Sequence, residues 1–349
     1  MRTPDLPLLA QTTYAELLDL SDLFAFEAAF AEAGTFSAKA VKGRRYWYFQ
    51  PARSTAGTSP PTQRYVGPET AELLQRISQH REAKRDQSAQ RAMVRALVHS
   101  YGLPAPLPAV AQVVEGLARS GVFRLRAVLV GTVAYQTYAA MLGVRLPSAL
   151  VQTGDVDVAQ FLGVSIAVHD KTESMDEVLR AIDPSFRKLP ALRRNRSTRY
   201  ISSQQLRVDF LVPNQGADTD DSLYLPALQT AAEPLRFLDY LIREPVKAVL
   251  LRGSGIAVTV PAPERFAVHK LIVSQRRKSA QAKSSKDLQQ ASALLAILLQ
   301  RRSQELRSVW NEAIQRGPTW RELVLAGAAQ LPTQVRESLK ATAGGDWIE

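Results

Sequence analysis

The chain has 349 residues, 46% hydrophobic and 22% charged, enough for one large core or two to three ordinary domains. It has no cysteine, which excludes disulfides and thiolate metal sites, and no apolar run near the roughly 20 residues that span a bilayer. Lysine and arginine outnumber the acids 44 to 33, a formal net charge of +11; such an excess attracts nucleic acid, nucleotides or anionic lipid, or serves only as a basic soluble surface.

The N-terminal MRTPDLPLLAQ lacks a basic stretch followed by an apolar one, so no signal peptide is expected, and the chain is assigned to the cytoplasm with no membrane partner. Residues 14–33, YAELLDLSDLFAFEAAFAEA, have helical period. In RRYWYFQ, Tyr46, Tyr48 and Gln50 alternate with Trp47 and Phe49. The stretch TAGTSPPT separates this run from RYVG, and the pattern predicts a β-hairpin with a flexible tip. Gly67-Pro68-Glu69 opens a long helix to about Tyr101, with a charged middle, SQHREAKRDQSAQR. GLPAPLP breaks it, and VAQVVEGLARSG is a second amphipathic helix closed by glycine.

From 121 to 213 the signals alternate. AVLV reads as a strand, TVAYQTYAAML as a helix, DVDVA and VSIAVHD as strands, SMDEVLRAI as a helix, and RYIS and LRVDFLV as strands. A polar loop, NQGADTDDS, precedes a further strand pair, VKAVLL and GIAVTVP. PERFAVHKLIVSQRR starts with proline in its first turn, as helices often do. A basic linker, KSAQAKSSK, leads to DLQQASALLAILLQ, where Leu288, Ala291, Leu294, Leu295 and Leu298 form one stripe. The fold class is α+β: a mixed sheet flanked by helices, with a helical C-terminal region and an N-terminal β-hairpin plus helices. The expected units are residues 1–120, 121–262 and 263–349.

The chemistry concentrates in the middle unit. Residues i and i+2 of a strand share a face, so Asp155 and Asp157 of GDVDVA aim together. Two adjacent carboxylates repel unless a positive charge lies between them, and a divalent ion such as Mg2+ supplies it. Asp209, inside the apolar strand LRVDFLV, is a third acid where an unpaired carboxylate would be expensive. Three such acids can hold two Mg2+ ions for in-line phosphoryl transfer. Gly131 allows close backbone approach to a phosphate, and Thr132, at the start of the next helix, adds a hydroxyl and exposed N–H groups. Each feature alone has a plainer explanation. Asp-x-Asp is often a turn or a solvated strand face, Gly-Thr a simple cap, and Asp209 can pair with Arg199 or Arg207. Their order along the chain is what points to nucleotidyl transfer.

VLVGT, GDVDVA and VDFLV together resemble the polymerase-beta-type nucleotidyltransferase superfamily. Within it the chain is similar to a bacterial group related to abortive-infection toxins of the AbiEii type, through KGRRYWYFQ, RYVGPET, GTVAYQTYAAMLGVRL, TGDVDVA, PAPERFAVHKLIVSQRR and KDLQQA, over about residues 35–300. The resemblance implies that Asp155 and Asp157 ligate both metals. It implies that Asp209 holds the catalytic metal and helps activate the incoming hydroxyl, and that Gly131 and Thr132 cradle the triphosphate. Lys270 in VHKLIV resembles a lysine that such toxins place near the phosphates, and Lys286-Asp287 a later lysine-aspartate pair. Threonine stands at 132 where serine is usual. The spacer to Asp155 is longer than usual and contains GVRLPSALVQT, whose Arg145 either reaches a phosphate or is a surface arginine near a helix end.

His269 has no partner at zinc-ligand spacing. Arg44 and Arg45, beside Tyr46 and Trp47, suggest a stacking platform for unpaired bases, or else a small sheet whose rings pack inward. FRKLPALRRNRSTR, with Arg193 and Arg194, is a second basic cluster that can contact an RNA backbone. The expected activity is transfer of NMP from an NTP to a hydroxyl, with a tRNA-like RNA as acceptor in a toxin-like enzyme and an antitoxin encoded separately. The alternatives are a protein acceptor, or an inactive nucleic-acid-binding protein.

Overall fold

The computed structural model describes residues 5–30, 34–41, 43–51, 63–79, 88–190, 196–214, 216–277 and 281–344. Helix α1 (Leu8–Ala29) leads into β1 (Gly34–Val41), β2 (Arg44–Pro51) and β3 (Arg64–Pro68), an antiparallel sheet in the order β1-β2-β3. The expected hairpin is its β2–β3 half; the expected tip, TAGTSPPT, lies outside the described residues. β1 is an addition, turned onto β2 at Gly43, whose φ of +76° suits glycine. A buried carboxylate helps tie this sheet to the rest of the chain: Asp170 accepts the Tyr65 N–H at 2.9 Å and pairs at 2.5 Å with Arg124, which also donates to the Tyr65 carbonyl.

Within the span expected as one long helix, Gly67 and Pro68 close β3 and two helices are described, α2 (Ala71–Gln79) and α3 (Ser88–Arg95), the second ending in a π-helical turn, Ala96–Ser100; residues 80–87 between them are outside the described set. α4 (Pro108–Arg119) buries Val110, Val113, Val114 and Leu117, the stripe its period requires.

The central sheet follows. β4 (Val128–Val130) runs into α5 (Gly131–Met141), and β5 (Asp155–Ala159) into α6 (Leu162–Ala167) and α7 (Met175–Ile182). Then come β6 (Arg187–Lys188), β7 (Arg199–Ile201), β8 (Arg207–Asn214), β9 (Leu223–Leu225) and β10 (Thr230–Arg236). The order is β4-β5-β8-β10-β9, with β7 also on β8 and β6 on β7. β5 and β10 are parallel to β8, while β4, β7 and β9 are antiparallel to their neighbours. β7 and β10 therefore share the edge of β8 that faces away from β5. α8 (Leu238–Leu241) leads to the ribbon β11 (Val246–Leu250) and β12 (Ile256–Val260), then to α9 (Pro263–Arg276), α10 (Gln281–Arg301), α11 (Ser303–Gln315), α12 (Pro318–Ala329) and α13 (Thr333–Ala343). A mixed sheet flanked by helices, with a helical C-terminal region, is the fold class expected. One apolar cluster runs from Tyr48 and Tyr65 through β4, β5 and β8 to Ala343 and draws on all three expected segments.

Two expectations need correction. VSIAVHD is not a strand: its first residues form α6. Leu162, Ser165 and Val168, three residues apart, turn inward while Ile166 is 58% exposed, a helical rather than alternating pattern. Ser165 also accepts the Ala227 N–H, which fixes that turn from outside. The basic linker KSAQAKSSK is helical from Gln281 onward, because α10 begins there.

Candidate active site

β5 and β8 alternate between two environments. Val156, Val158, Val208 and Phe210 are fully buried below the sheet, and Asp155, Asp157 and Asp209 are half-buried on the opposite face. Asp157 and Asp209 are register partners, and Asp155 lies opposite Arg207. The three acids therefore occupy neighbouring positions on one face, beneath a cavity of about 490 Å3 that they line with Gly131, Thr132, Thr153 and Lys270. That volume is in the range of small-molecule sites.

Gly131 is the point where β4 turns into α5. Its φ is +71°, and a Cβ there would lie 2.2 Å from Asp157 Oδ2. Only glycine lets the helix start this close to the carboxylate. Val130, at the N-cap, is extended and offers no capping side chain, so the first N–H groups of α5 get no side-chain cap. The partial positive charge of that helix end is set beside the acids.

Burial pushes the Asp157 carboxyl up to about 7, and the charges of Asp209 and Asp155 add to the rise against the pull of Lys270 and Arg277. Burial likewise raises Asp209, opposed by Arg199. Arg199 pairs with Asp209 Oδ2 at 3.5 Å and with Glu233 at 2.8 Å, while Asp209 Oδ1 is buried with no hydrogen-bond partner. As the side chains stand, no group of three described His, Asp or Glu residues is arranged to hold a metal ion. The geometry says why: Asp157 is turned beneath Gly131, and Asp209 is engaged by Arg199.

The wall facing the acids is cationic. Lys270 on α9 is buried and held by Asp287 at 2.5 Å, and Arg277 takes the other oxygen of Asp287 at 2.6 Å. Asp287 is itself buried on α10, so one carboxylate orients two cations toward the cavity. Lys270 lies within α9 and Arg277 caps its C-terminal end, and the shared contact with Asp287 brings both side chains to the same wall. His269 also lines the cavity, and burial, with Lys270 and Arg277 beside it, pulls its pKa down to about 3, so it is neutral near pH 7. Arg236, Arg276, Lys283 and Lys286 add positive charge at the rim.

The long spacer before Asp155 is stapled at three successive carbonyls. Gln290 donates to the Leu150 carbonyl at 2.8 Å, Gln136 to that of Val151 at 2.5 Å, and Lys286 to that of Gln152 at 2.7 Å. Gln290 also approaches the Thr132 hydroxyl at 3.5 Å, linking α10 to the start of α5. Arg145 is exposed on this spacer and does not line the cavity.

Of the remaining candidates, Arg193 and Arg194 lie outside the described residues. Arg44 and Arg45 are exposed at the start of β2, away from the cavity lining. Trp47 donates its indole N–H to Glu69 at 2.9 Å, which also pairs with Arg45 at 3.4 Å. Tyr46 packs against the core, Tyr48 stands edge-on to Tyr65 and Phe49 stacks among Phe30 and Phe36, so these rings are largely spent on packing. The pairing of Asp209 with Arg199 is one of the two that the sequence offered for this acid. Glu233 and Arg277 are additions, and of these Arg277 left a signal in its spacing of seven residues from Lys270.

A family model described as nucleotidyltransferase matches residues 108–315, a span holding every residue of the acidic and cationic walls named above. No curated protein matches the chain significantly. Among solved structures, an antigenic nucleotidyltransferase-like protein from Paracoccidioides brasiliensis matches 64% of this chain and 95% of its own, at 14% identity and a TM-score of 0.30.

Proposed function

The chain belongs to the nucleotidyltransferase family, and on that premise we propose that it transfers NMP from an NTP to a hydroxyl of an RNA acceptor. The observation that carries the assignment of the centre is the in-register pairing of Asp157 with Asp209 beneath Gly131, opposite a wall of oriented cations.

Mg2+ suits the acids: all are hard oxygen donors, Asp209 Oδ1 is buried without a hydrogen-bond partner, and Asp157 is raised by burial and by the charges of Asp209 and Asp155, which a cation would offset. Asp155, Asp157 and Asp209 would hold the ions. When bound, the ions neutralise charge on the phosphates of the NTP. Lys270 and Arg277, fixed by Asp287, bind phosphate oxygens, and the Gly131 and Thr132 N–H groups at the start of α5 take the others. The acceptor oxygen attacks the α-phosphorus, the bond to the bridging oxygen breaks, and pyrophosphate leaves. The hydroxyl proton passes to the Asp209 carboxylate. Positioning and charge neutralisation supply most of the catalysis.

The RNA acceptor is supported by the net charge of +11 and by the basic rim. A toxin-like role of the AbiEii kind, a tRNA-like acceptor and a separately encoded antitoxin rest on the sequence resemblance. The test is incubation with each α-labelled NTP, magnesium and total RNA. Label in an RNA band supports the proposal and names the nucleotide; label on protein instead replaces RNA with a protein acceptor.

A further inference from the structure

Arg199 lies at an unusual junction. β7 and β10 share one edge of β8, so Arg199, in register with Asp209, also reaches Glu233 on β10. Its bond to Glu233, 2.8 Å, is shorter than its contact with Asp209, 3.5 Å. The Arg199 side chain is 49% exposed, whereas those of Asp209 and Glu233 are 20% and 11% exposed. The arginine can therefore swing without unpacking the sheet, and the carboxylates cannot follow it. Lys270 and Arg277 are committed to Asp287, which leaves Arg199 as the described cation in contact with the acidic trio.

We propose that Arg199 is a cation latch: it holds Asp209 until a divalent ion displaces it, and it then stays anchored on Glu233, facing the cavity. The inference rests on the assignment of Asp155, Asp157 and Asp209 as the metal-holding set. A guanidinium and a divalent ion compete for the same carboxylate, because both are drawn by its charge and repel each other. Glu233 acts as the parking place that keeps the displaced arginine beside the bound phosphates, where a planar guanidinium is well suited to bind them. Arg199 is in this sense a positioning residue of the metal site.

The test is equilibrium binding of Mn2+ without nucleotide, followed by the loss of the free-ion electron paramagnetic signal. It compares the wild-type protein with Arg199→Gln, Arg199→Lys and the double variant Asp155→Ala/Asp157→Ala, with thermal melts confirming folding. Arg199→Gln is expected to bind Mn2+ roughly fivefold more tightly, about the worth of a half-exposed ion pair. Arg199→Lys, which keeps the charge, stays near the wild-type value. If Arg199→Gln binds no tighter while the double variant loses the ion, the latch is wrong and the acidic site stands. If both Arg199 variants tighten alike, charge is not the cause and the latch is again wrong. Unchanged Mn2+ binding in the double variant removes the acidic site itself and the latch with it.

Discussion

Gly131 and Asp157 are in such close contact that a single methyl group on residue 131 would overlap the Asp157 carboxylate, at 2.2 Å from Oδ2. Gly131→Ala must also hold a φ of +71°, which costs about 1–3 kcal/mol. The variant is expected to fold with a lowered melting temperature. It should transfer nucleotide on the order of a hundredfold more slowly, the scale of a 1 Å misplacement. Wild-type rates in a folded Gly131→Ala protein would mean that this contact does not shape the site.

Asp157 makes stability depend on pH. Its folded carboxyl is raised from 3.8 to about 7, so between those values the folded state holds a proton that the unfolded state has lost. Stability therefore falls as pH rises from about 4 to 7 and levels off above. Asp157→Asn removes the penalty. In metal-free buffer its gain over wild type should grow across that window to about 2–4 kcal/mol at pH 8, read from melts at several pH values. A gain independent of pH would assign the effect to something other than this carboxyl.

Magnesium should act in the same window. An ion at Asp157 favours the ionised carboxylate, so adding Mg2+ should raise the melting temperature more at pH 8 than at pH 5. Stripping it with a chelator should restore the lower value. Equal shifts at both pH values would place the ion elsewhere.

Asp287 anchors both Lys270 and Arg277, and its side chain is 4% exposed. Removing it leaves Lys270 buried and unpaired, so Asp287→Ala should cost about 3–5 kcal/mol. Lys270→Ala leaves Asp287 paired with Arg277 and should cost less stability. Its nucleotide affinity should fall roughly ten- to hundredfold, the worth of a charge-assisted bond. Denaturant melts and nucleotide titrations on the two variants check the contrast.

Arg44 and Arg45 are exposed on β2, whereas the neighbouring rings are packed. Arg44→Ala/Arg45→Ala should leave the melting temperature unchanged. If this edge binds RNA, the plot of log affinity against log salt should also become shallower, by about one unit of slope for each phosphate no longer neutralised. Tyr48→Ala, by contrast, should be destabilising by about 3 kcal/mol or more, as for other buried rings.

The acids were legible because period-two alternation is strong where one face is apolar: Val156, Val158, Val208 and Phe210 reveal that Asp155, Asp157 and Asp209 share the other face. Gly131 was legible at the end of an apolar run, and α9 by Pro263 in its first turn. Glu233 was not. It lies in TAAEPLR, whose alanines and proline carry no strand signal, and which becomes β10 only because β8 offers an edge. Its pairing with Arg199, 34 residues away, depends on two strands sharing that edge, which no local pattern encodes. α6 was misread for the same reason in reverse: Val164 and Ile166 favour a strand, but the buried Ser165 contact selects a helix. Arg145 looked well placed only along the chain; the staples from Gln136, Gln290 and Lys286 hold its spacer on a different course.

The most direct test of the central claim is transfer of label from an α-labelled NTP to acceptor, measured side by side for wild type, Asp155→Ala/Asp157→Ala and Asp209→Asn, each shown to be folded. The account predicts magnesium-dependent transfer by wild type, with pyrophosphate released in equal amount, and none above background by either variant. Transfer that persists when Asp155 and Asp157 are both removed would contradict it.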